Sequence, residues 1–155
     1  MKKVNWKSLL INIAIPLAVG GLSALLTMNS MDKYKEINRP PLSPPGWIFP
    51  VVWTILFILM VIASYIIYER DSNLKPKALI VYDVQLLLNL SWSIVFFNAD
   101  QYWVSVAIII ALIIMIIITI AFFSTINKMA ALLLVLYILW VLFATYLNIY
   151  IAILN

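Results

Sequence analysis

Long apolar runs broken by a few short polar segments set the pattern of this chain. Five runs are read at residues 9–28, 47–68, 78–97, 103–123 and 130–154, each close to the roughly 20 residues a helix needs to cross a hydrocarbon core. Stretches such as 108–114, Ile-Ile-Ile-Ala-Leu-Ile-Ile, do not alternate, which excludes a transmembrane β-barrel. The pattern therefore predicts an all-α membrane protein, a five-transmembrane-helix bundle forming one domain over residues 1–155. The connections after the third and fourth runs are so short that these helices must pack as antiparallel neighbours. The first run follows a basic start but exceeds the roughly 7–15 residues of a signal-peptide core and has no A-x-A cleavage pattern, so it is read as a retained span. Pro16 is a candidate kink, and Ala14, Ala18, Gly20, Gly21 and Ala24 allow close helix approach.

Composition supports the membrane reading: 66% of the 155 residues are hydrophobic and 10% charged, where soluble domains keep about 25% charged. The partner implied is a lipid bilayer. The net charge of +4 lies in the connections and reads as topology, with no basic, aromatic-laced soluble face for nucleic acid. Lys2, Lys3, Lys7, Arg70, Lys75, Lys77 and Lys128 fall on one side of a five-span chain, and Lys33, Lys35 and Arg39 on the other. That excess predicts a multi-pass cell-membrane protein with a cytoplasmic N-terminus, and with the first loop and the C-terminus outside.

The segment 39–53 is the most unusual stretch. Pro40, Pro41, Pro44, Pro45 and Gly46 make a stiff, non-helical loop. It breaks into an apolar run at Trp47, and Trp53 follows about 9 Å further along the helix axis, too deep for a headgroup anchor. A rigid cap above a buried indole predicts a lidded pocket for a flat, apolar ligand.

Three helices carry aromatic or amide side chains on one face: Phe49, Trp53, Phe57 and Met60; Tyr82, Gln85, Asn89, Trp92 and Phe96; Tyr137, Trp140, Ala144 and Asn148. At 1.5 Å per residue, Trp92 lies about 7 Å, Trp53 and Asn148 about 9 Å, Asn89 about 12 Å and Trp140 about 20 Å below the outer boundary. Ala144, one turn above Trp140, leaves room for a ligand. Asn89 and Asn148 have two roles open to them, interhelical hydrogen bonding or ligand orientation. Trp53, Trp92 and Trp140 either fill the core or face a ligand. Trp6, Trp47 and Trp103 sit at span ends and read as interfacial anchors. Asp83 reads as structural, paired with Lys75 or Lys77 or stabilised by the helix dipole.

The chain has no cysteine and no histidine. That removes disulfides, Ser-His-Asp triads, Cys/His zinc sites and the usual haem ligands, leaving Met or Tyr for iron. No group suited to acid–base or nucleophilic catalysis lies within the spans, no metal site is read, and no intramembrane charge pair marks a coupling-ion path.

Three motifs occur in order: Pro44-Pro45-Gly46-Trp47 with Trp53; Tyr82, Gln85, Asn89, Trp92 and Phe96-Phe97; and Trp140, Ala144 and Leu147-Asn148. The chain thereby resembles the TspO/MBR family, the tryptophan-rich sensory proteins related to the translocator protein or peripheral-type benzodiazepine receptor. The resemblance covers essentially the whole chain. It implies an often dimeric five-helix bundle that binds porphyrins such as protoporphyrin IX, or haem, as ligand, with no cofactor required. It also implies binding of cholesterol and of isoquinoline carboxamide or benzodiazepine drugs. Sensing or transport in tetrapyrrole-linked stress is the function implied, with light- and oxygen-dependent protoporphyrin breakdown through Trp53 and Trp140 as the alternative. The implied ligand site comprises Tyr34, Trp53, Phe57, Asn89, Trp92, Phe96, Trp140, Ala144 and Asn148, with ligand carboxylates within reach of Lys33, Lys35 or Arg39. Two features depart from the family. Ile149 and Ile153 stand where its cholesterol-recognition segment has a tyrosine and a basic residue, and Leu42 stands where some relatives have tryptophan.

Overall fold

Helix boundaries follow from local chemistry. A computed structural model describes residues 6–28, 41, 43–45, 47–98 and 101–155, and among them every regular element is helical. The helices are α1 (Trp6–Met28), α2 (Ile48–Tyr68), α3 (Lys75–Ser93), α4 (Tyr102–Ile126), α5 (Lys128–Leu133) and α6 (Val135–Leu154). One π-helical turn, Ile94–Asn98, extends α3. Pro76 falls in the first turn of α3, where its missing N–H costs nothing, so this helix starts three residues before the expected position 78. Lys75 donates from Nζ to the Tyr68 carbonyl at 3.0 Å and lies 5.3 Å from the centre of the Tyr68 ring. A cation there offsets the negative end of α2 and clamps the α2–α3 turn. This is a different partner from the Asp83 expected for it.

Asn127 separates α4 from α5. Its backbone is extended, and Oδ1 accepts from the N–H groups of Met129 at 2.9 Å and Ala130 at 3.1 Å, which satisfies two of the free donors at the start of α5. A single residue between helices forces an antiparallel turn, as expected.

The fifth span is interrupted, which the apolar pattern did not signal. At Leu134 the N–H bonds the Ala131 carbonyl at 3.1 Å, a tightened i−3 turn with no glycine or proline to announce it. The break gives the two halves different neighbours: α5 packs on α2 and α4, and α6 on α4. Further pairs are α3 on α4, α1 on α2 and, less extensively, α1 on α3 and α2 on α3, with the π turn against α1 and α4.

Four helical segments are long and apolar enough to cross a membrane: Ile48–Tyr68, Lys75–Phe97, Tyr102–Ile126 and Lys128–Leu154. α1, at 23 residues, reaches about 34 Å and completes a five-helix membrane bundle. Serine and threonine hydroxyls within the spans return to the preceding turn of their own helix, as with Ser93 to Asn89, Thr119 to Met115 and Thr145 to Val141. In hydrocarbon this removes the need for water. Trp6, Trp47 and Trp103 lie exposed at helix ends, as expected of interfacial anchors.

Candidate functional site

The site is built where two helices fail to meet. α2 and α6 are not closely packed backbone to backbone, and large rings bridge the gap. Trp53 of α2 is the hub. Its ring centre lies 6.0 Å from Phe57, 6.2 Å from Trp92 of α3, and 6.3 and 6.4 Å from Tyr137 and Trp140 of α6. The last two contacts are edge-on, at 71° and 88°, the arrangement favoured by ring quadrupoles. Phe49, one turn before Trp53, sets its ring edge-on to both Phe97 and Trp140 at 5.9 Å.

The π-helical turn completes the cluster. Inside an ordinary α-helix, consecutive residues diverge by about 100°, so Phe96 and Phe97 do not both turn inward easily. The wider turn buries both. Phe96 stacks on Trp92 at 5.3 Å and 16°, and Phe97 meets Trp92 edge-on at 6.0 Å. Single π turns of this kind recur beside functional sites.

A polar layer underlies the rings. The Tyr137 hydroxyl donates to Gln85 Oε1 at 2.6 Å and accepts from Asn89 Nδ2 at 2.9 Å. Gln85 Nε2 points to the Met60 sulfur at 3.9 Å. Nearer the end of α6, Trp92 Nε1 donates to Asn148 Oδ1 at 3.0 Å, while Asn148 Nδ2 donates to the Tyr102 carbonyl at 3.1 Å. Each bond crosses between helices, each contributing about 0.6–2 kcal/mol in hydrocarbon. Among the described residues Trp140, like the Tyr82 hydroxyl away from the cluster, lacks such a partner. The Trp140 Nε1 is shielded yet has no acceptor, and an unmade hydrogen bond in such surroundings costs about 1–3 kcal/mol.

The structure brings together Trp53, Phe57, Asn89, Trp92, Phe96 and Trp140, and places Ala144 buried one turn beyond Trp140. Asn148 joins through Trp92. Of the two roles open to the asparagines, interhelical bonding is the one observed. Tyr34, Lys33, Lys35, Arg39 and Leu42 lie outside the described residues. Tyr82, although on the α3 face, belongs elsewhere: it stacks on Phe123 of α4 at 5.8 Å.

Phe49, Met60, Gln85, Tyr137, Phe97 and Gly20 take part without having been assigned to the site. The first four lie on the helical faces already recognised, so spacing could have found them. Phe97 depends on the π turn, and Gly20 on tertiary contact. A Cβ on Gly20 of α1 would lie 3.1 Å from the Phe57 ring, tight enough that the ring must yield.

Comparison with known proteins agrees with this geometry. Residues 12–154 match the model of the TspO/MBR family. The tryptophan-rich protein TspO of Chlorobaculum tepidum is 37% identical over 139 residues, 88% of each chain. That of Archaeoglobus fulgidus is 35% identical over 153 residues, 98% of this chain and 99% of its own. The human translocator protein is 31% identical over 119 residues, 74% of this chain and 70% of its own. With Trp53, Trp92 and Trp140 converging as one cluster in a five-helix bundle, this chain belongs to the TspO/MBR family of membrane proteins.

Proposed function

We propose that the protein binds a flat tetrapyrrole of the protoporphyrin IX class against the aromatic cluster between α2, α3 and α6, and serves as a sensor or transporter of such molecules in oxidative stress. The observation that carries this reading is Trp53, at the centre of rings from three helices across a gap that backbone packing leaves open. The rings already touch one another, so a macrocycle would stack on an outer face of the cluster. Of the three indoles in the cluster, Trp53 and Trp140 keep some exposed surface, whereas Trp92 is sealed. Each ring–ring contact contributes about 0.5–1.5 kcal/mol beyond area burial. Packing, rather than iron ligation, would hold the ligand, since the Tyr137 oxygen and the Met60 sulfur already accept hydrogen bonds. Apolar drugs of the isoquinoline carboxamide or benzodiazepine class suit the same surface. The names of relatives, a translocator protein in humans and a tryptophan-rich sensory protein in Cereibacter sphaeroides, fit a transporter or sensor. The lysine and arginine distribution supports a cytoplasmic N-terminus, and homodimerisation is proposed on family resemblance alone.

Saturable quenching of tryptophan fluorescence by protoporphyrin IX tests the proposal, with quenching weakened in Trp53→Ala. No saturable quenching in the wild type overturns it. A second reading, photo-oxidative porphyrin breakdown, draws on the direct edge contact of Trp53 with Trp140. It requires an illuminated complex to yield a new absorbing product that disappears in Trp53→Phe and Trp140→Phe while binding persists.

A further inference from the structure

The ring contacts continue beyond the cluster. From Trp140 they run along one stripe of α6: Trp140 to Phe143 at 5.5 Å, Phe143 to Tyr146 at 6.0 Å, and Tyr146 to Tyr150 at 5.4 Å. Spacings of three and four residues keep these side chains on one helical face. The inner end joins Trp53 at 6.4 Å. The outer end, Tyr150, is 42% exposed. It lies about 6 Å before the end of α6, at the depth where a phenol reaches interfacial water.

We propose that this stripe is an electron-transfer path, which moves an oxidising equivalent from the Trp53–Trp140 pair to Tyr146 and Tyr150 and so spares the indoles from oxidative damage. The proposal rests on the tetrapyrrole reading for its source of oxidant, which is dioxygen acting through an excited porphyrin. The porphyrin gives one electron to dioxygen, forming superoxide and a porphyrin radical cation. That cation takes one electron from Trp53 or Trp140, which restores the porphyrin and leaves an indole radical cation. An electron from Tyr146 or Tyr150 refills the indole, and the phenol proton passes to interfacial water, leaving a neutral phenoxyl radical. A thiol in the aqueous phase then donates a hydrogen atom and restores the phenol. The net change is one electron moved from thiol to dioxygen and one proton released.

Tyr137 is nearer to Trp53, at 6.3 Å, but it is a poor terminus. Its hydroxyl donates to the Gln85 carboxamide, too weak a base to hold the proton, and an undischarged cation there would be a buried, uncompensated charge. Tyr150, at the boundary, can release its proton to water. Phe143 is not itself oxidised. It fills the space between Trp140 and Tyr146, which lie about 9 Å apart along the helix axis, with a ring in contact with both.

The test uses the full chain in lipid nanodiscs with Trp6→Phe, Trp47→Phe and Trp103→Phe, so that Trp53, Trp92 and Trp140 are its only indoles. Pulse radiolysis with azidyl radical, which oxidises indole ahead of phenol, generates the indolyl radical without porphyrin. The expected result is decay of the indolyl absorbance in step with growth of phenoxyl absorbance. In the same chain with Tyr146→Phe and Tyr150→Phe, the phenoxyl growth is lost and the indolyl radical persists. Unchanged kinetics in that variant, or no phenoxyl growth in its parent, overturns the proposal. Protoporphyrin quenching measured on the same samples keeps the two readings separate. Binding without radical transfer removes the relay alone, and transfer without binding removes the tetrapyrrole reading while the path stands.

Discussion

The two ends of α2 solve the same packing problem in opposite ways. Toward Tyr68 the neighbouring helices present alanines: Ala63 on α2, Ala78 on α3 and Ala130 on α5 are all fully buried, and α2 lies directly against α5. Toward Ile48, α2 and α6 stand apart, and Phe49, Trp53, Tyr137 and Trp140 fill the space between them. Lipid tails are as apolar as leucine, so hydrophobicity alone does not bring helices together in a membrane. Small residues permit backbone contact, whereas large rings hold helices apart and leave faces on which something else can stack. The tight end fixes the bundle, and the aromatic end is free to specialise.

Substitutions at each end should break this contrast in different currencies. Trp53→Ala is expected to have the largest effect, about 3–5 kcal/mol for a large aromatic removed from a packed cluster, read as a lower detergent unfolding temperature together with weaker porphyrin quenching. Ala130→Leu, at the tight end, should cost about 1–3 kcal/mol by overpacking and leave any measured ligand affinity of the surviving folded protein close to wild type. Ala144→Leu sharpens the comparison. Buried like Ala130, Ala144 should also lose stability to overpacking when enlarged, but with a fall in ligand binding that Ala130→Leu does not show, and intact binding would place Ala144 in a packing role only.

Smaller effects probe the joints between the two regions. Tyr137→Phe removes the link between Gln85 and Asn89 and should cost about 1 kcal/mol, within the range found for interhelical hydrogen bonds in membranes. A cost several times larger would mean that the two carboxamides find no other partner. Gly20→Ala should shift stability least, since a ring need move only a few tenths of an ångström from a Cβ at 3.1 Å. Its signature is a change in Trp53 emission through the Phe57 contact at 6.0 Å, and an unaltered spectrum would show that Phe57 gives way without disturbing its neighbour.

Much of this arrangement was legible in the residues themselves. The faces of α2, α3 and α6 that carry Trp53, Asn89, Trp92 and Trp140 follow from three- and four-residue spacing, and the spans follow from unbroken apolar runs.

Which partner each side chain meets across the bundle was decided only by the tertiary structure. Spacing left the roles of Asn89 and Asn148 open, and the rotation and separation of neighbouring helices gave them to Tyr137 and Trp92. The π turn that turns both Phe96 and Phe97 inward and the break at Leu134 have no glycine or proline behind them, so neither has a local cause to read. Periodicity reports a helix's own faces, because it repeats within a few residues of chain. The distance between two helices depends on every side chain wedged between them, and that sum exists only once the bundle has closed.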